Sequence, residues 1–400
     1  MNANDFTYVC SECGHTYPIA PGIMVCEHCA AYQQADRPLR GVLDVAFTGE
    51  VRGSWDPLHL LLVEREFFPG IPVGHTPLWD VGAIVGRTRQ SALTEHPHLF
   101  IKDDTLNPTA SLKDRASFLV AAFARKHGIQ DVVVASTGNA ASSMAGVGAA
   151  AGLRVTLFVP KSAPRAKLVQ SLQYGARVIP VDGNYDRAYE LSLEYSRRFG
   201  YLSRNTAYNP LTIEGKKTVA LEIYQQLGCA PDYVFVPVGD GVILSGVYKG
   251  FCDLVRLGLI SRVPTVYAVQ AQGSDAIAQA FRRGDFLPIH AHTVADSISV
   301  DVPRNGYHAV KQLLTYAGRC VTVSDEAILH AQHLLASSIG LFAEPSAAAS
   351  LAGFLASQSD IPAEATVVLL VTGSGLKDID SAARLVSLPD RAISRIEEID

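Results

Sequence analysis

Short apolar runs rich in β-branched residues alternate with longer amphipathic or small-residue stretches from about residue 98 onward. The short runs predict β-strands, and the longer stretches predict helices. Regular alternation of the two is typical of βαβ units, so we expect an α/β fold with mostly parallel sheets and ligand sites at the carboxyl ends of strands. The predicted strands are 41–47, 99–102, 132–135, 155–159, 178–181, 234–237, 266–269, 320–323 and 366–371, and the predicted helices include 116–124, 185–199, 325–338 and 346–357.

One stretch, residues 132–153, carries no charged residue and is long enough to cross a bilayer. It contains several hydroxyl and amide side chains and four glycines. These residues favour a buried strand, a turn and a helix over a membrane span. The chain does not open with a basic segment followed by an apolar core, so we expect no secretory signal and a cytoplasmic location.

The balance of charge is mildly acidic, with 34 Lys+Arg against 39 Asp+Glu and a formal net charge of −5. No strongly basic segment stands out, which argues against a nucleic-acid partner. A hydrophobic content of 48% and a charged fraction of 18% exclude a disordered chain. A length of 400 residues fits two or three domains, or one large α/β domain with an attachment.

Four of the seven cysteines form two CxxC pairs near the amino terminus, and twelve residues separate the pairs. Two such knuckles can place four thiolates at the corners of a tetrahedron, which suits a closed structural Zn2+ site. A pair of disulfides, or a ribbon that has lost its metal, is the alternative. The paired cysteines are Cys10, Cys13, Cys26 and Cys29, whereas Cys229, Cys252 and Cys320 are expected to be small core residues.

A turn at residues 107–115 follows the predicted strand 99–102 and leads into an apolar helix. Thr109 or Ser111 is expected to cap that helix, which places Lys113 in its first turn. The backbone dipoles there disfavour an ammonium group and favour the neutral amine that a carbonyl-bonding lysine needs. Taken alone, a lysine in such a segment is more often an ordinary surface residue.

Two further loops follow predicted strands. Residues 136–140 allow a sharp turn after which Asn139 presents an amide to a ligand, although a simple helix N-cap explains the same residues. Residues 238–246 carry successive glycines before a helix, and such a turn can bind an anion through backbone amides. Asp240 is an unfavourable neighbour for a dianion unless its side chain points away. The glycines at 146, 148 and 152 lie inside a predicted helix and indicate close packing rather than a dinucleotide site.

Taken in order, these segments resemble the threonine synthase family of pyridoxal-phosphate enzymes, which has the tryptophan-synthase β fold, also called fold type II. The similarity covers most of the chain. The motifs that carry it are the cysteine ribbon, Gly74-His-Thr-Pro-Leu78, residues 107–115 and 136–139, Asn209-Pro210 with Glu214-Gly215, the loop at Gly239, Ala343-Glu-Pro-Ser346 and Thr372-Gly-Ser-Gly-Leu-Lys-Asp378.

The resemblance implies a role for each of these loops. Lys113 would bind the aldehyde of pyridoxal 5'-phosphate covalently and then move protons during the reaction. Asn139 would hydrogen-bond the ring oxygen of the cofactor, and Thr372 would face its pyridine nitrogen. The cofactor phosphate would be held by the amides of Gly239, Asp240, Gly241, Val242, Ile243 and Leu244. The substrate would be bound by Ser136, Thr137, Asn139, Ala140, Asn209 and Thr212.

One departure from the family pattern concerns the substrate. Threonine synthases carry an arginine two residues after the Asn-Pro pair, where it binds the phosphate of the substrate, and Thr212 stands at that position here. The bidentate, permanently charged partner is therefore lost. Arg204, Lys216 and Lys217 are candidates to replace it as point charges. A smaller departure is Ala110, where glycine is usual.

We therefore expect a lyase that converts O-phosphohomoserine and water to threonine and phosphate. The alternative is a β-elimination or β-replacement enzyme for another small amino acid, such as a serine/threonine dehydratase, a diaminopropionate lyase or a cysteate-forming enzyme. A non-catalytic binding protein is disfavoured, because Lys113 stands in the surroundings that the family gives its cofactor-binding lysine.

The resemblance also implies a domain organisation. Residues 1–40 are expected to form the zinc-ribbon-like element, and residues 41–400 the catalytic domain. Within the catalytic domain, a small mobile subdomain at about 116–204 would close over the substrate and exclude water. Related enzymes are commonly dimers, which leaves a homodimer as an expectation, although no residue identifies its interface.

Overall fold

The computed structural model describes residues 5–50, 55–85, 93, 96–163, 165–386, 389 and 392–398. These residues form a three-stranded sheet near the amino terminus, a six-stranded sheet and a four-stranded sheet. The strands are β1 Phe6–Cys10, β2 Thr16–Tyr17, β3 Leu43–Phe47, β4 Leu78–Asp80, β5 Leu99–Asp103, β6 Asp131–Ala135, β7 Arg154–Pro160, β8 Arg177–Val181, β9 Leu202–Ser203, β10 Tyr233–Pro237, β11 Thr265–Ala271, β12 Arg319–Val323 and β13 Val367–Val371.

Helices connect most of these strands, as the alternation in the sequence predicts. The α-helices are α1 Glu27–Ala30, α2 Val81–Val85, α3 Lys113–Lys126, α4 Asn139–Ala151, α5 Arg165–Gln173, α6 Tyr185–Phe199, α7 Leu211–Lys216, α8 Thr218–Leu227, α9 Val242–Arg256, α10 Ala276–Arg283, α11 Gly306–Thr315, α12 Asp325–Ile339, α13 Pro345–Ser357 and α14 Ile379–Ala382. Each strand and helix predicted from the sequence is present, with small differences at the ends. The α/β fold class is therefore confirmed.

The six-stranded sheet has the order β12-β11-β10-β13-β5-β4. Its strands are parallel except β4, which pairs antiparallel with β5 at one edge. All five residues of β13 are buried, because successive side chains point to opposite faces and both faces are covered. Val368 and Leu370 belong to the core that includes α9, whereas Val367 and Leu369 belong to the core that includes α13.

The four-stranded sheet has the order β8-β7-β6-β9 and is entirely parallel. It lies inside the segment at about 116–204 for which we predicted a mobile subdomain, and the mobility stays a prediction. The apolar stretch 132–153 forms β6, a turn and α4, as expected. Among the described residues, no helix combines the length and the apolar character that a membrane span requires.

The glycines inside α4 serve close packing, as the sequence analysis predicts. A Cβ added at Gly146 would lie 2.6 Å from Thr109 Cγ2, and one added at Gly148 would lie 2.4 Å from Val155 Cγ2. Both distances are far below ordinary van der Waals contact. Helix α4 therefore packs against two neighbours, strand β7 and the turn at Thr109 that precedes α3. Both approaches are so close that only glycine fits at the contact.

The three-stranded antiparallel sheet near the amino terminus has the order β2-β1-β3. Burial alternates along β1 and β3, and the Phe6 and Phe47 rings stack with centroids 4.8 Å apart. The buried face joins the main core. The ribbon-like element was expected to end at residue 40. Its sheet includes β3, which lies beyond that residue, so the element extends past the expected boundary. The linker after the cysteines is anchored to the catalytic domain, since Leu39 N donates to Arg304 O at 2.9 Å.

Candidate active site

Lys113 is the first residue of α3 and is partly buried. The turn before it is tied to the loop after β13. Leu112 N donates to Thr372 O at 2.9 Å, and Ser374 N donates to Ala110 O at 3.1 Å. These backbone hydrogen bonds place Lys113 beside the buried Thr372. Two residues predicted from separate motifs therefore lie at one place in the fold.

The cap predicted for α3 is wrong. Neither Thr109 nor Ser111 caps the helix, because its N-cap residue is Leu112, which makes no side-chain cap hydrogen bond. Instead, the buried Asp114 carboxylate accepts from Thr109 N at 2.7 Å and from the Thr109 hydroxyl. The helix thus stabilises the turn, rather than the turn capping the helix. Ala110 adopts a φ of +64°, a left-handed conformation that costs a non-glycine residue about 1–2 kcal/mol.

The surroundings of Lys113 favour its neutral form. Burial is the main cause: removal from water lowers the pKa of Lys113 below its usual 10.5, in opposition to the carboxylates of Glu344 and Asp240, and the charge of Arg204 lowers it further. The neutral amine is the form of lysine that attacks a carbonyl. The sequence analysis expected this effect from backbone dipoles, and the structure adds desolvation as a further cause.

Asn139 begins α4 just beyond the carboxyl end of β6 and is buried. Its Nδ2 donates to both carboxylate oxygens of Glu344 at 3.0 Å and to Ser297 Oγ at 3.2 Å. Glu344 N in turn donates to Gly373 O at 2.9 Å, in the loop that holds the turn before α3. Because the Glu344 carboxylate also influences Lys113, these residues surround one site between the two larger sheets.

Glu344 is a residue of this site to which the sequence analysis gave no role, although its motif was recognised. It occupies the N-cap position of α13, but its side chain makes no cap hydrogen bond and turns to Asn139 instead. Burial raises the pKa of Glu344 above its usual 4.5, against the opposing effects of Lys113 and Asn139. The available signal was an acidic residue directly before the proline that begins a helix. That signal is weak, because such an acid usually caps the helix.

The loop between β10 and α9 has the shape of an anion-binding turn. α9 begins at Val242, directly after Gly241, whose φ is +87°. A Cβ at Gly239 would lie 2.9 Å from Ile298 Cα, and one at Gly241 would lie 2.9 Å from Ala309 Cβ, so both positions require glycine. The first amides of a helix have no intrahelical acceptor and attract phosphate.

Asp240 lies in this loop, and the loop itself holds its side chain. The carboxylate oxygen Oδ1 accepts from Val242 N at 3.1 Å, while the backbone oxygen accepts from Asn305 N at 3.0 Å. The amide of Val242, one of the six assigned to the cofactor phosphate, therefore already has an acceptor in this conformation. The roles of the other five amides, at Gly239, Asp240, Gly241, Ile243 and Leu244, stay predictions.

The residues predicted to bind the substrate fall into two groups. Ser136, Thr137 and Ala140 are partly exposed and surround Asn139 at the start of α4. The N-cap of this helix is Gly138, so the alternative in which a polar residue of the turn caps the helix is wrong. The first group therefore borders the site that contains Lys113, and its role in substrate binding stays a prediction.

The second group, Asn209 and Thr212, is buried where α7 begins, with Asn209 in the turn before the helix and Thr212 in its first turn. Asn209 Nδ2 donates to Ser203 O at 2.7 Å, and its Oδ1 accepts from Leu211 N at 2.9 Å. The Thr212 hydroxyl donates to Asn209 O at 2.7 Å and accepts from Ala207 N at 3.2 Å. Since the single hydrogen of that hydroxyl is already donated, Thr212 has none to offer a substrate in this conformation.

Residues 71–373 match a protein-family model described as "Pyridoxal-phosphate dependent enzyme". The structure fits this cofactor, because a lysine with a lowered pKa faces the site and a glycine turn opens a helix beside it. Fold and site therefore define a pyridoxal-phosphate-dependent lyase.

The curated relatives narrow this class. The chain is 38% identical to the threonine synthase of Synechocystis sp., over 78% of this chain and 79% of that protein. It is 36% identical to the threonine synthase of Mycobacterium tuberculosis, over 84% and 87% of the two chains, and 33% identical to that of Methanocaldococcus jannaschii, over 95% of each. The chain belongs to the threonine synthase family.

Solved structures agree with this assignment at the level of the fold. The T.th. threonine deaminase superposes with a TM-score of 0.60 at 25% identity, covering 69% of this chain and 87% of that one. A threonine deaminase of Solanum lycopersicum superposes with a TM-score of 0.66 at 20% identity, covering 84% of this chain and 94% of that one. The fold type II architecture expected from the sequence is confirmed.

Proposed function

We propose that the chain converts O-phosphohomoserine and water to threonine and inorganic phosphate. The observation that supports this most strongly is the likeness to a threonine synthase over 95% of both chains, which includes the segment around Lys113. A match of that coverage extends over the segments that form the ribbon, both larger sheets and the loops between them. The alternative functions share the fold, but their structures cover less of this sequence at lower identity.

In the proposed reaction, the cofactor and Lys113 have different roles. When bound, the cofactor supplies an electron sink that stabilises negative charge at the α-carbon of the substrate. Lys113 would hold the cofactor, and its Nζ would accept the α-proton of the substrate as the general base. Burial, which lowers the pKa of Lys113, favours the neutral amine that acts as a base.

The loops around Lys113 orient the reactants. Asn139 would bind the ring oxygen of the cofactor in place of Glu344, to which its Nδ2 donates here, and Thr372 would face the pyridine nitrogen. The start of α4, beside Ser136 and Thr137, offers backbone amides that suit the carboxylate of an amino acid. The start of α9 offers amides that suit the cofactor phosphate.

A second candidate function is β-elimination or β-replacement on another small amino acid. The engaged hydroxyl of Thr212 favours it, because the position that binds the substrate's phosphate elsewhere in the family has no free donor here. A product survey across phosphohomoserine, phosphoserine, serine, threonine and diaminopropionate separates the two functions. We expect threonine and phosphate from phosphohomoserine. Pyruvate from serine or 2-oxobutanoate from threonine, without phosphate release from phosphohomoserine, would establish the second function.

We also propose that the cysteine cluster holds one structural Zn2+. The ligand atoms of its four cysteines all lie within 4.8 Å of one another, with two of the sulfur pairs 3.7 Å apart. The corners of a tetrahedron with Zn–S bonds of about 2.3 Å are about 3.8 Å apart, which matches these pairs. A disulfide requires sulfurs about 2.05 Å apart, so the observed spacing favours metal over the disulfide alternative. The cluster comprises Cys10, Cys13, Cys26 and Cys29.

One thiol of the cluster is already prepared for ionisation. Burial opposes the charged form of Cys26, but hydrogen bonds outweigh it and lower the pKa of this thiol to about 6, with the largest contribution from the Tyr17 hydroxyl at 3.2 Å. The thiolate is the form of cysteine that binds a metal. Tyr17 Oη also accepts from Glu27 N at 3.1 Å, so it is fixed in place by the start of α1.

Removal of this metal is expected to lower both stability and cofactor affinity. The linker after the cluster binds Arg304 O through Leu39 N, and the next residue, Asn305, binds the oxygen of Asp240 in the loop before α9. We expect one zinc per chain by mass spectrometry of metals, and a lower Tm with weaker cofactor binding after chelation or in Cys26→Ser.

The matched control is Cys229→Ser, since Cys229 is an exposed cysteine outside the cluster. This variant is expected to keep the metal content and the Tm of the wild type. Protein produced with ample zinc that contains none, together with a Cys26→Ser variant of unchanged Tm, would contradict the zinc proposal.

A further inference from the structure

Two buried cations beside the active site have no part in the reaction as described so far. The Arg204 side chain is 0% exposed and Lys216 is 2% exposed. Arg204 follows β9 of the four-stranded sheet, and Lys216 ends α7, which packs against α3. A charged group that is taken out of water is costly unless it is paired. An anion bound beside Arg204 and Lys216 would offset this cost.

The Arg204 guanidinium is only partly satisfied. Its Nη1 donates to Thr206 Oγ1 at 2.9 Å, and its Nε donates to Ser117 Oγ at 3.3 Å. Its Nη2 is buried and has no hydrogen-bond partner within the part of the chain that the structure describes. Ser117 lies one helical turn after Lys113 and on the same face of α3. The unsatisfied donor is therefore close to the reacting centre.

Lys216 lies near the same centre. The residue before it, Gly215, packs directly against the start of α3, since a Cβ added there would lie 2.4 Å from Arg115 O. Burial lowers the pKa of Lys216 well below 10.5, Asp240 acts in the opposite direction, and Arg204 and Lys113 lower it further. Across the described residues, Lys216 Nζ makes no hydrogen bond and no ion pair with a carboxylate. Its Cβ comes close to α9, since a Cβ added at Gly246 would lie 2.7 Å from it.

The neighbouring Lys217 is already paired and does not share this position. Its Nζ contacts Glu214 Oε1 at 2.5 Å and Asp253 Oδ2 at 2.8 Å, and all three side chains are buried. The sequence offered three cations as replacements for the missing arginine. Because Lys217 is paired, Arg204 and Lys216 remain as candidates. Asp240 is the carboxylate that influences both of them, and Val242 N already occupies one of its oxygens.

We propose that Arg204 and Lys216 bind the phosphate group of the substrate, a phosphate monoester dianion, at a subsite beside Lys113. The proposal rests on the proposed function and assigns the phosphate contact that Thr212 cannot make. A dianion with three acceptor oxygens satisfies the free Nη2 of Arg204 and supplies the counter-charge that Lys216 lacks. A phosphate on the γ-carbon is four bonds from the α-carbon, so it lies near Lys113 when that lysine reaches the α-proton.

The position of Arg204 favours the substrate phosphate over the cofactor phosphate. The turn that suits the cofactor follows β10 of the six-stranded sheet and offers the amides of α9. Arg204 instead follows β9, and its backbone N donates to Val133 O at 2.7 Å in the four-stranded sheet. We place the substrate between the six-stranded and the four-stranded sheets. A cation beside the four-stranded sheet therefore contacts the substrate rather than the cofactor phosphate.

The test uses the holoenzyme and inorganic phosphate, which is also the product. We expect inorganic phosphate to compete with phosphohomoserine in the wild type. In Arg204→Gln and in Lys216→Gln, we expect its Kd and the KM for phosphohomoserine to rise about tenfold to a hundredfold, with a smaller change in kcat. Arg204→Lys keeps a charge without the fork and should recover part of the affinity.

Two controls separate this role from a structural one. Arg125→Gln removes the same charge from an exposed position of α3 and should leave phosphate binding unchanged. Lys216→Gln should keep or raise the Tm, because it removes a buried cation that has no hydrogen-bond partner. A residue that served only packing would lower the Tm and leave the Kd for phosphate unchanged.

The outcomes also separate this inference from the proposed function. Phosphate binding that stays at the wild-type level in both variants would overturn the inference, even if phosphohomoserine is turned over. The same holds if the variants keep phosphate affinity but lose affinity for pyridoxal phosphate in the apoenzyme, which would assign the cations to the cofactor. Loss of phosphate binding in the variants of an enzyme that does not turn over phosphohomoserine would refute the proposed reaction and still support the subsite.

Discussion

Replacing Lys113 with alanine is expected to lower the rate of threonine formation by about 10²–10⁴-fold, the range that a positioned general base contributes. The variant loses both the amine that holds the cofactor and the base that accepts the α-proton. The measurement is the rate of threonine and phosphate release at saturating cofactor. Borohydride reduction of the holoenzyme followed by peptide mapping should label residue 113 in the wild type and leave the corresponding peptide of the variant unlabelled.

The matched control for this variant is Lys126→Ala, at the other end of the same helix. Lys126 pairs with the exposed Glu64 at 2.8 Å, so the loss of this lysine should change neither the rate nor the label. A Lys113→Ala variant that keeps wild-type activity, or a label found on another lysine, would contradict the assignment of Lys113.

Replacing Glu222 with alanine is expected to lower the free energy of unfolding by about 3–5 kcal/mol, because it leaves buried cations without a counter-charge. The Glu222 carboxylate accepts from Arg115 Nη1 at 2.6 Å and from Lys102 Nζ at 2.7 Å. Arg115 also binds Asp104, and all four side chains are buried. Chemical denaturation followed by tryptophan fluorescence measures the loss.

This network has a consequence for the active site as well as for stability. Arg115 lies two residues after Lys113 in α3, and Asp104 follows the end of β5. The ion pairs therefore hold the start of α3 against the sheet. We expect Glu222→Ala to weaken cofactor binding along with stability. Glu364→Ala is the control, because that carboxylate is 88% exposed and only reaches His98 at 3.8 Å.

The same network predicts how stability depends on pH. Burial opposes ionisation of Glu222, but Arg115 and Lys102 outweigh it and hold the pKa of this carboxyl at about 2, below its usual 4.5. A carboxyl whose pKa is depressed in the folded state stabilises the protein above its unfolded pKa, and this stability disappears as the pH falls towards the folded pKa. The contribution of Glu222, about 3 kcal/mol, should be lost between about pH 4.5 and pH 2. A wild-type protein that loses no more stability in this range than Glu222→Gln would contradict the assignment.

The ribbon connects to the site through backbone atoms rather than through its cysteines. Leu39 N binds Arg304 O, and Asn305 N binds Asp240 O in the turn before α9. Arg304 also forms an ion pair with Asp186 in α6, on the side of the four-stranded sheet. One short segment therefore contacts the ribbon, the turn proposed for the cofactor phosphate and the smaller sheet.

Local pattern was sufficient for most of the architecture. The strands at 132–135 and 234–237 and the helix at 185–199 were predictable, because β-branched runs and helical periodicity report the burial of one short segment at a time. The glycines of the loop before α9 were recognisable for a similar reason. A Cβ at Gly239 or Gly241 collides with neighbouring atoms, and this requirement is visible as glycine in the sequence.

The partners of the polar side chains were decided only by the tertiary structure. Thr109 was expected to cap α3, yet its hydroxyl binds Asp114. Glu344, which had no predicted role, binds Asn139 from a distant helix. Spacing along the chain cannot reveal such pairs, because their members meet through the packing of separate elements.

The cations near Thr212 also show what local sequence can predict and what only tertiary packing decides. The sequence by itself determined the class of enzyme, since the cofactor motifs are local and keep their order along the chain. It placed Arg204, Lys216 and Lys217 in one segment of the chain without ranking them. Only the folded structure distinguished them. Lys217 is paired with the buried Glu214 and Asp253, whereas no carboxylate among the described residues forms an ion pair with Arg204 or Lys216.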